Sequence, residues 1–379
     1  MRLLLVIESL TGGGAERQMA LLAESLAELG HEVLVSSWAS PEVRDAYQLS
    51  SGVERIHLRA GRRGSGRFAR TFATMAALIK LVRTIRRYSP AAIISFSEAS
   101  NFLSLLAGRV TRYPVIVSNR ADPEAIFEMK PHWRRFVLWT YRRAEGVVVQ
   151  TEGAARWCRD HCGRDVYVIP NALRELPQPS TGDRPPVIVA VGRLDPQKGH
   201  DILIRAFSKL HEDHPQWRLL ILGEGNSRAE LQNLARASGV FEKVKLRGFT
   251  DQVEPILGSC SIFALPSRFE GFPNALIEAM GMGLPCVATD CRYGPAEIVT
   301  DGLDGLLIPV DDLAALEEAL RLLIEDAPLR TKLAANALTV RAKYACRAVA
   351  AQWVACAHAV STGAGRSSLA NVLKVSGHV

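Results

Sequence analysis

Long hydrophobic runs are missing from these 379 residues. None approaches the roughly 18 consecutive apolar residues that a membrane-spanning helix needs. The opening Met1-Arg-Leu-Leu-Leu-Val-Ile-Glu8 turns charged too soon for a signal peptide and reads as a first strand. Seven cysteines, odd in number and scattered, fit a reducing compartment better than a disulfide framework. Cys158, His161 and Cys162 fall at helical spacing, but no second pair lies nearby to complete a zinc site. The Gly-x-Gly-x-x-Gly dinucleotide fingerprint is absent, which weakens any reading as a nicotinamide-dependent oxidoreductase. No nucleophile elbow and no recognised RNA- or DNA-binding motif occurs.

What is present is the material of two ordinary domains. Nearly half the residues are hydrophobic and no low-complexity block dominates. Short apolar runs alternate with helical patterns from Arg2 to Pro170, and again from Val187 to Pro309. Such alternation predicts two Rossmann-like, doubly wound α/β domains with mostly parallel sheets, facing a central cleft. The proline-rich stretch 174–186 is the expected linker between a domain over 1–173 and a second over 187–345. A helix over 346–361 is expected to pack back on the first domain, followed by a mobile Gly- and Ser-rich tail at 362–379. The net charge of +7 is uneven. Residues 1–175 hold 25 Lys and Arg against 17 Asp and Glu, so an acidic partner should meet the first half.

The most informative stretch is Ser267-Arg-Phe-Glu-Gly-Phe-Pro-Asn-Ala-Leu-Ile-Glu-Ala-Met280. It follows an apolar run and opens a helix, with Pro273 suited to the first turn. Glu270 and Glu278 bracket the turn, and eight helical residues would separate them by about 12 Å. That is roughly the reach from the ribose to the hexose of a nucleotide sugar. A helix N-terminus between them would offer N–H groups to a diphosphate. Val191-Gly-Arg-Leu-Asp-Pro-Gln-Lys-Gly-His200 sets Arg193 and Lys198 after the first strand of the second domain. Two such cations suit a departing diphosphate, and Gly192 and Gly199 permit close backbone approach. Gly12, Gly13 and Gly14 occupy the equivalent loop of the first domain, where their backbone is a candidate for a phosphate or an acceptor. Leu222-Gly-Glu-Gly225, with Glu224, also follows a strand and is either a site loop or a simple turn.

Taken together these motifs resemble the retaining glycosyltransferases of family 4, which have the GT-B fold. The resemblance runs from Gly13-Gly-Ala-Glu-Arg17 to Asp301-Gly-Leu-Asp-Gly-Leu-Leu-Ile-Pro309, and Glu270 and Glu278 match the Glu-x7-Glu motif of that family. It implies that Glu270 binds hydroxyls of the transferred sugar and Glu278 the ribose, with Arg193 and Lys198 on the diphosphate. It also implies that Gly271, Phe272, Asn274 and Ala275 meet the sugar and phosphates through backbone groups. Arg247-Gly-Phe-Thr250, with Arg247 and Phe249, would then lie beside the base. Many members place a histidine after the strand corresponding to Pro114–Ser118; this chain has Asn119-Arg-Ala-Asp122. Asn119, Arg120 and Asp122 therefore become acceptor candidates, a variation similar to the branch that extends polyprenol-diphosphate-linked oligosaccharides. Asp-x-Asp, the divalent-metal clamp of the other glycosyltransferase fold, occurs nowhere, so neither metal nor cofactor is expected.

The segment Arg62–Arg87 carries Phe68, Phe72, Met75, Ile79 and Val82 at helical spacing, with basic residues towards both ends. Such a stripe is usually packed in a core. Lys130, Trp133, Arg134, Arg135, Trp139, Arg142 and Arg143 add a second basic, aromatic patch. Together the two suit an anionic membrane surface or a lipid diphosphate, and nucleic acid is not expected as a partner. The expected protein is an enzyme at the cytoplasmic face of a membrane. It would pass a hexose or N-acetylhexosamine from a nucleoside-diphosphate sugar, UDP-linked, to a lipid-linked glycan. The alternatives are the same donor chemistry on a soluble acceptor, and a non-catalytic sugar-nucleotide-binding protein; the intact Arg193, Lys198, Glu270 and Glu278 set argues against the latter.

Overall fold

A computed structural model describes residues 1–39, 45–58, 67–120, 124, 131–163, 165–179, 182 and 184–363. Arg62, Arg63, Asp122, Lys130 and most of the C-terminal tail lie outside the described residues, as do the side chains of Arg67, Phe68, Arg70 and Trp133. The chain divides into two compact units, one of Met1–Arg174 resumed at Tyr344, the other of Glu175–Lys343.

In the first unit the strands are β1 (Arg2–Ile7), β2 (Glu32–Ser37), β3 (Val53–His57), β4 (Ala92–Phe96), β5 (Val115–Ser118), β6 (Gly146–Val149) and β7 (Val166–Val168). They form one sheet in the order β3-β2-β1-β4-β5-β6-β7, and every pairing is parallel. Runs such as Leu3-Leu4-Leu5-Val6 and Val147-Val148 are buried on both faces, as a parallel sheet covered by helices requires. The helix Cys346–Thr362 belongs to this unit and adds Val349, Ala350, Trp353, Cys356 and Ala357 to the core that holds Met19, Ala23 and Phe96. A hydrogen bond of 2.7 Å from Leu173 N–H to the Tyr344 carbonyl ties the returning chain to the departing one.

The second unit repeats the plan with β8 (Val187–Val191), β9 (Arg218–Leu222), β10 (Val244–Gly248), β11 (Ile262–Leu265), β12 (Cys286–Thr289) and β13 (Leu306–Ile308). Their order is β10-β9-β8-β11-β12-β13, again parallel throughout. In both sheets the direction of winding reverses once, between β1 and β4 and between β8 and β11. Ligands of such sheets bind beyond the carboxyl ends of the strands at that reversal.

The helix Arg67–Tyr88 does not pack its predicted stripe in the core as such stripes usually do. It turns Ala77, Leu81, Thr84 and Ile85 inward, and leaves much of the predicted apolar stripe outside. Phe72 is 75% exposed, Met75 54% and Ile79 47%. Of the inward residues, Ala77 and Thr84 are small enough to let the helix lie close to the rest of the first unit.

Candidate active site

The site in the second unit assembles at the β8–β11 reversal. After β8 the chain turns through Gly192 and Arg193 into a short 3-10 turn, Pro196–Lys198, and Gly199 closes that turn in the left-handed region at φ 63°. A Cβ on Gly199 would fall 2.0 Å from the Pro266 carbonyl oxygen, so only glycine lets the two loops touch. Gln197 fastens them side by side. Its Nε2 donates to the Phe269 carbonyl at 2.9 Å, its carbonyl accepts from Arg268 N–H at 2.8 Å, and its Oε1 accepts from Arg193 Nη2 at 2.8 Å.

Across this seam Lys198 Nζ lies 2.6 Å from Glu270 Oε1, and Ser267 Oγ donates to the same oxygen at 2.7 Å. The Glu270 side chain is 6% exposed and the Lys198 side chain 17%, so this is a desolvated pair in which each charge needs the other. Arg193 differs: its side chain is 71% exposed, and Nε sits 3.2 Å from Asp195 Oδ2. Arg268 points away into a two-carboxylate clamp on Asp201 and Asp311, at 2.9 and 2.8 Å. Those carboxylates supply the stabilisation that raises the Arg268 guanidinium and, through its donors, lowers Asp201.

The helix Asn274–Gly281 starts one residue later than expected, with Pro273 at the N-cap. Pro273 supplies no side-chain cap, and the positive end of the helix lies at Asn274 and Ala275. Gly271 to Pro273 are loop, and half of the Glu270–Glu278 spacing is therefore not helical. Glu278 is 4% exposed and lies on this helix. Phe272 is buried, and Gly271, Asn274 and Ala275 are half-buried. Towards the other edge of the sheet, Glu224 pairs with Arg228 at 3.2 Å, and a Cβ on Gly248 would meet Glu224 Oε1 at 2.7 Å. Arg247 is exposed and the Phe249 ring is 78% exposed, a bare aromatic face just beyond β10.

Sequence reasoning missed Gln197 and Ser267, whose roles rest on contacts across 72 and 3 residues. His200 was missed too. Its ring is 2% exposed, directly after the Lys198–Gly199 turn. Burial, with Lys198 nearby, pushes its pKa down to about 4, so the imidazole stays neutral beside the Lys198 turn. A lone histidine in a strand–helix loop carries no signal that would have marked it.

In the first unit the glycine loop is already occupied. Glu16 accepts from Gly12 N–H at 2.8 Å and from Gly13 N–H at 2.6 Å, and also from the hydroxyls of Ser9 and Thr11. These donors outweigh burial and hold the Glu16 carboxyl below its usual range. Two of the amides expected to meet a phosphate are thus satisfied internally; Gly14 begins the helix Gly14–Glu28. Asn119 is buried and its carbonyl accepts from Gln150 Nε2 at 3.0 Å, while Arg120 reaches Asn171. Among the described residues no group of three metal-ligating side chains converges, and no helix is long and apolar enough to cross a membrane.

Residues 174–340 match the family model described as glycosyl transferases group 1, and residues 12–174 the one described as Glycosyltransferase Family 4. Over 89% of its length the chain is 29% identical to an N-acetylgalactosaminyltransferase of Campylobacter jejuni. That relative is named as acting on an N-acetylgalactosamine-N,N'-diacetylbacillosaminyl-diphospho-undecaprenol, and 93% of it is covered. An exopolysaccharide phosphotransferase of Streptomyces coelicolor is 36% identical over 55% of the chain, but the match spans only 23% of that protein. Among solved structures, Anabaena HepE in complex with UDP superimposes with a TM-score of 0.75 at 20% identity, covering 93% of this chain and 98% of that one. The fold is the GT-B fold that the sequence motifs implied.

Proposed function

Because the chain belongs to the group 1, family 4 glycosyltransferases, we propose that it transfers a hexose or N-acetylhexosamine, with retention, from a UDP-sugar to a polyprenol-diphosphate-linked glycan in the synthesis of a cell-surface polysaccharide or glycoconjugate. The observation that carries the reading is the desolvated Lys198–Glu270–Ser267 cluster beside a helix N-terminus at a sheet reversal. The helix end and the two cations, Arg193 and Lys198, suit a diphosphate, and the bare Phe249 ring suits a base. Glu278 holds the ribose diol, accepting two hydrogen bonds on one carboxylate. Glu270 holds sugar hydroxyls, and Lys198 stabilises the diphosphate as charge grows on it.

In the transfer, the bond from the anomeric carbon to the β-phosphate oxygen breaks. The acceptor oxygen bonds that carbon on the same face. The acceptor proton passes to the departing phosphate oxygen, so no enzyme base is required. Arg193, Lys198 and the helix end provide the electrophilic help that a metal gives elsewhere, and transfer is expected to survive EDTA.

The first unit takes the acceptor, through the Gly12–Gly14 loop and through Asn119, Arg120 and Asp122. It also docks on the inner, cytoplasmic face of an anionic membrane. Phe72, Met75 and Ile79 stand exposed on a helix whose Lys80, Arg83, Arg86 and Arg87 are exposed too, the composition of an interfacial helix. The test is release of UDP or GDP from a panel of nucleotide sugars, with membrane lipid extract as acceptor. Lipid-dependent release of UDP supports the reading. Release that needs only a water-soluble acceptor favours the soluble alternative, and no release with any donor contradicts both.

A further inference from the structure

Arg120 follows β5 at the carboxyl edge of the first sheet, and four segments of the first unit build its surroundings. Phe96 ends β4, and the Arg120 guanidinium carbon lies 4.1 Å from the centre of its ring. The ring of Trp353, from the C-terminal helix, lies 5.5 Å away. Asn171, beyond β7, accepts from Arg120 Nη1 at 2.9 Å. Arg120 Nε is buried and has no hydrogen-bond partner. No carboxylate among the described residues pairs with this guanidinium, and burial alone pushes it down to about 9. The contrast with Arg268, clamped by two carboxylates, and with Arg55, paired with Asp45, is direct.

Aromatic rings can cover the faces of a guanidinium, but its donors all lie along the edge. Here one edge donor is used by a neutral amide, and another is buried without a partner. Arg120 as a residue is half-buried, and its buried Nε is costly while it lacks an acceptor, which an anion would supply. The edge of a guanidinium is a fork that matches carboxylate or phosphate oxygens in two parallel hydrogen bonds. Ser97, adjoining Phe96, holds a positive φ of 77°, an unfavourable backbone state of the kind that collects at ligand sites.

We propose that Arg120, stacked on Phe96 and Trp353 and oriented by Asn171, is an anion site of the first unit that takes the phosphate oxygens of a diphosphate. The site itself stands on this geometry. Only the assignment of its ligand as the lipid diphosphate of the acceptor rests on the function proposed above. The shared chemistry is a diphosphate oxyanion, whose source is either the lipid or the free ion.

Binding of inorganic pyrophosphate and of farnesyl diphosphate to the full-length protein, each with saturating UDP to fill the other phosphate site, tests this. Calorimetry and the shift in Tm are read together, since a ligand of the folded state raises Tm in proportion to its binding. Wild type is expected to bind farnesyl diphosphate. Arg120→Met is expected to bind it about 10–100-fold more weakly, the worth of charged hydrogen bonds. Asn171→Asp is a near-isosteric second variant that supplies the missing carboxylate. It should keep the fold, raise Tm without ligand and lose the diphosphate response, which a purely structural arginine would not produce. The Arg193→Ala, Lys198→Ala double variant should weaken UDP and leave the response at Arg120 in place, so that failure in one unit is told apart from failure in the other.

Equal binding of pyrophosphate and farnesyl diphosphate, both lost in Asn171→Asp, would keep the anion site and remove the lipid assignment. Absence of any response in wild type, or full retention in Asn171→Asp, would overturn the site.

Discussion

Lys198 Nζ and Glu270 Oε1 stand 2.6 Å apart although 72 residues separate them. The pair joins the loop after β8 to the loop after β11 and sets the charge of Lys198 against a carboxylate; under the proposed function a diphosphate would compete for that charge. Lys198→Ala should therefore act twice. Turnover should fall about 10²–10³-fold, the usual loss for one electrostatic contact to the transition state. Stability should fall by about 3–5 kcal/mol, because Glu270 is left buried and unpaired. Denaturant melts of Lys198→Met combined with Glu270→Gln should recover most of that stability and none of the turnover. Arg193→Ala, at an exposed position, should lower turnover with little change in stability.

His200 makes stability depend on pH. Its pKa is near 4 when folded and about 6.5 when unfolded. Above pH 6.5 both states are neutral and the histidine contributes nothing to the pH dependence. Between pH 6.5 and pH 4 the unfolded chain takes up a proton that the folded one refuses, so stability falls as pH falls, by about 3 kcal/mol in all. His200→Gln should remove that part of the slope in urea melts taken across the window. An unchanged slope would place the acid sensitivity elsewhere.

The proposed membrane docking divides into an apolar and a charged part. Phe72→Ser with Ile79→Ser should reduce co-sedimentation with anionic vesicles at every salt concentration. It should hardly change Tm, since both side chains are already exposed. Arg83, Arg86 and Arg87 changed to Glu should reduce it most at low salt, where exposed charges are least screened. Binding by the wild type that ignores lipid charge would contradict the second part alone.

The glycine loop offers a fourth test. Glu16→Ala frees the amides of Gly12 and Gly13 and removes the side chain of a capping box. Loss of such a cap costs about 1 kcal/mol. If the loop serves the acceptor, KM for acceptor should change while UDP affinity does not. A change in UDP affinity instead would assign the loop to the donor.

Much of this was legible in the chain. Most of the thirteen strands among the described residues follow from apolar runs such as Leu3–Ile7 and Val187–Val191, because a parallel strand buried on both faces leaves an unbroken hydrophobic signature; the edge strands Val53–His57 and Val244–Gly248 are more polar. Arg193, Lys198, Glu270 and Glu278 were singled out because they flank strand ends and a helix start, and the structure brings Lys198 and Glu270 into contact. The buried face of Arg67–Tyr88 was not legible. Both its inward and its outward faces carry large apolar residues, Leu81 and Ile85 against Met75 and Ile79, and only packing decides between them. Gln197 acts through a contact across 72 residues, Ser267 through one across three that its residue type did not mark, and His200 is set apart by its burial. The stacking of Arg120 on Trp353 was hidden by the same distance, 233 residues along the chain.

The division of the donor between two glutamates is tested most directly by calorimetric titration of UDP, free of any sugar, into Glu270→Gln and Glu278→Gln. Glu278→Gln should weaken UDP by about tenfold or more, the worth of one charged hydrogen bond. Glu270→Gln should bind UDP almost as wild type does while its kcat falls. Equal losses of UDP affinity in both variants would contradict the assignment of ribose to one carboxylate and sugar to the other.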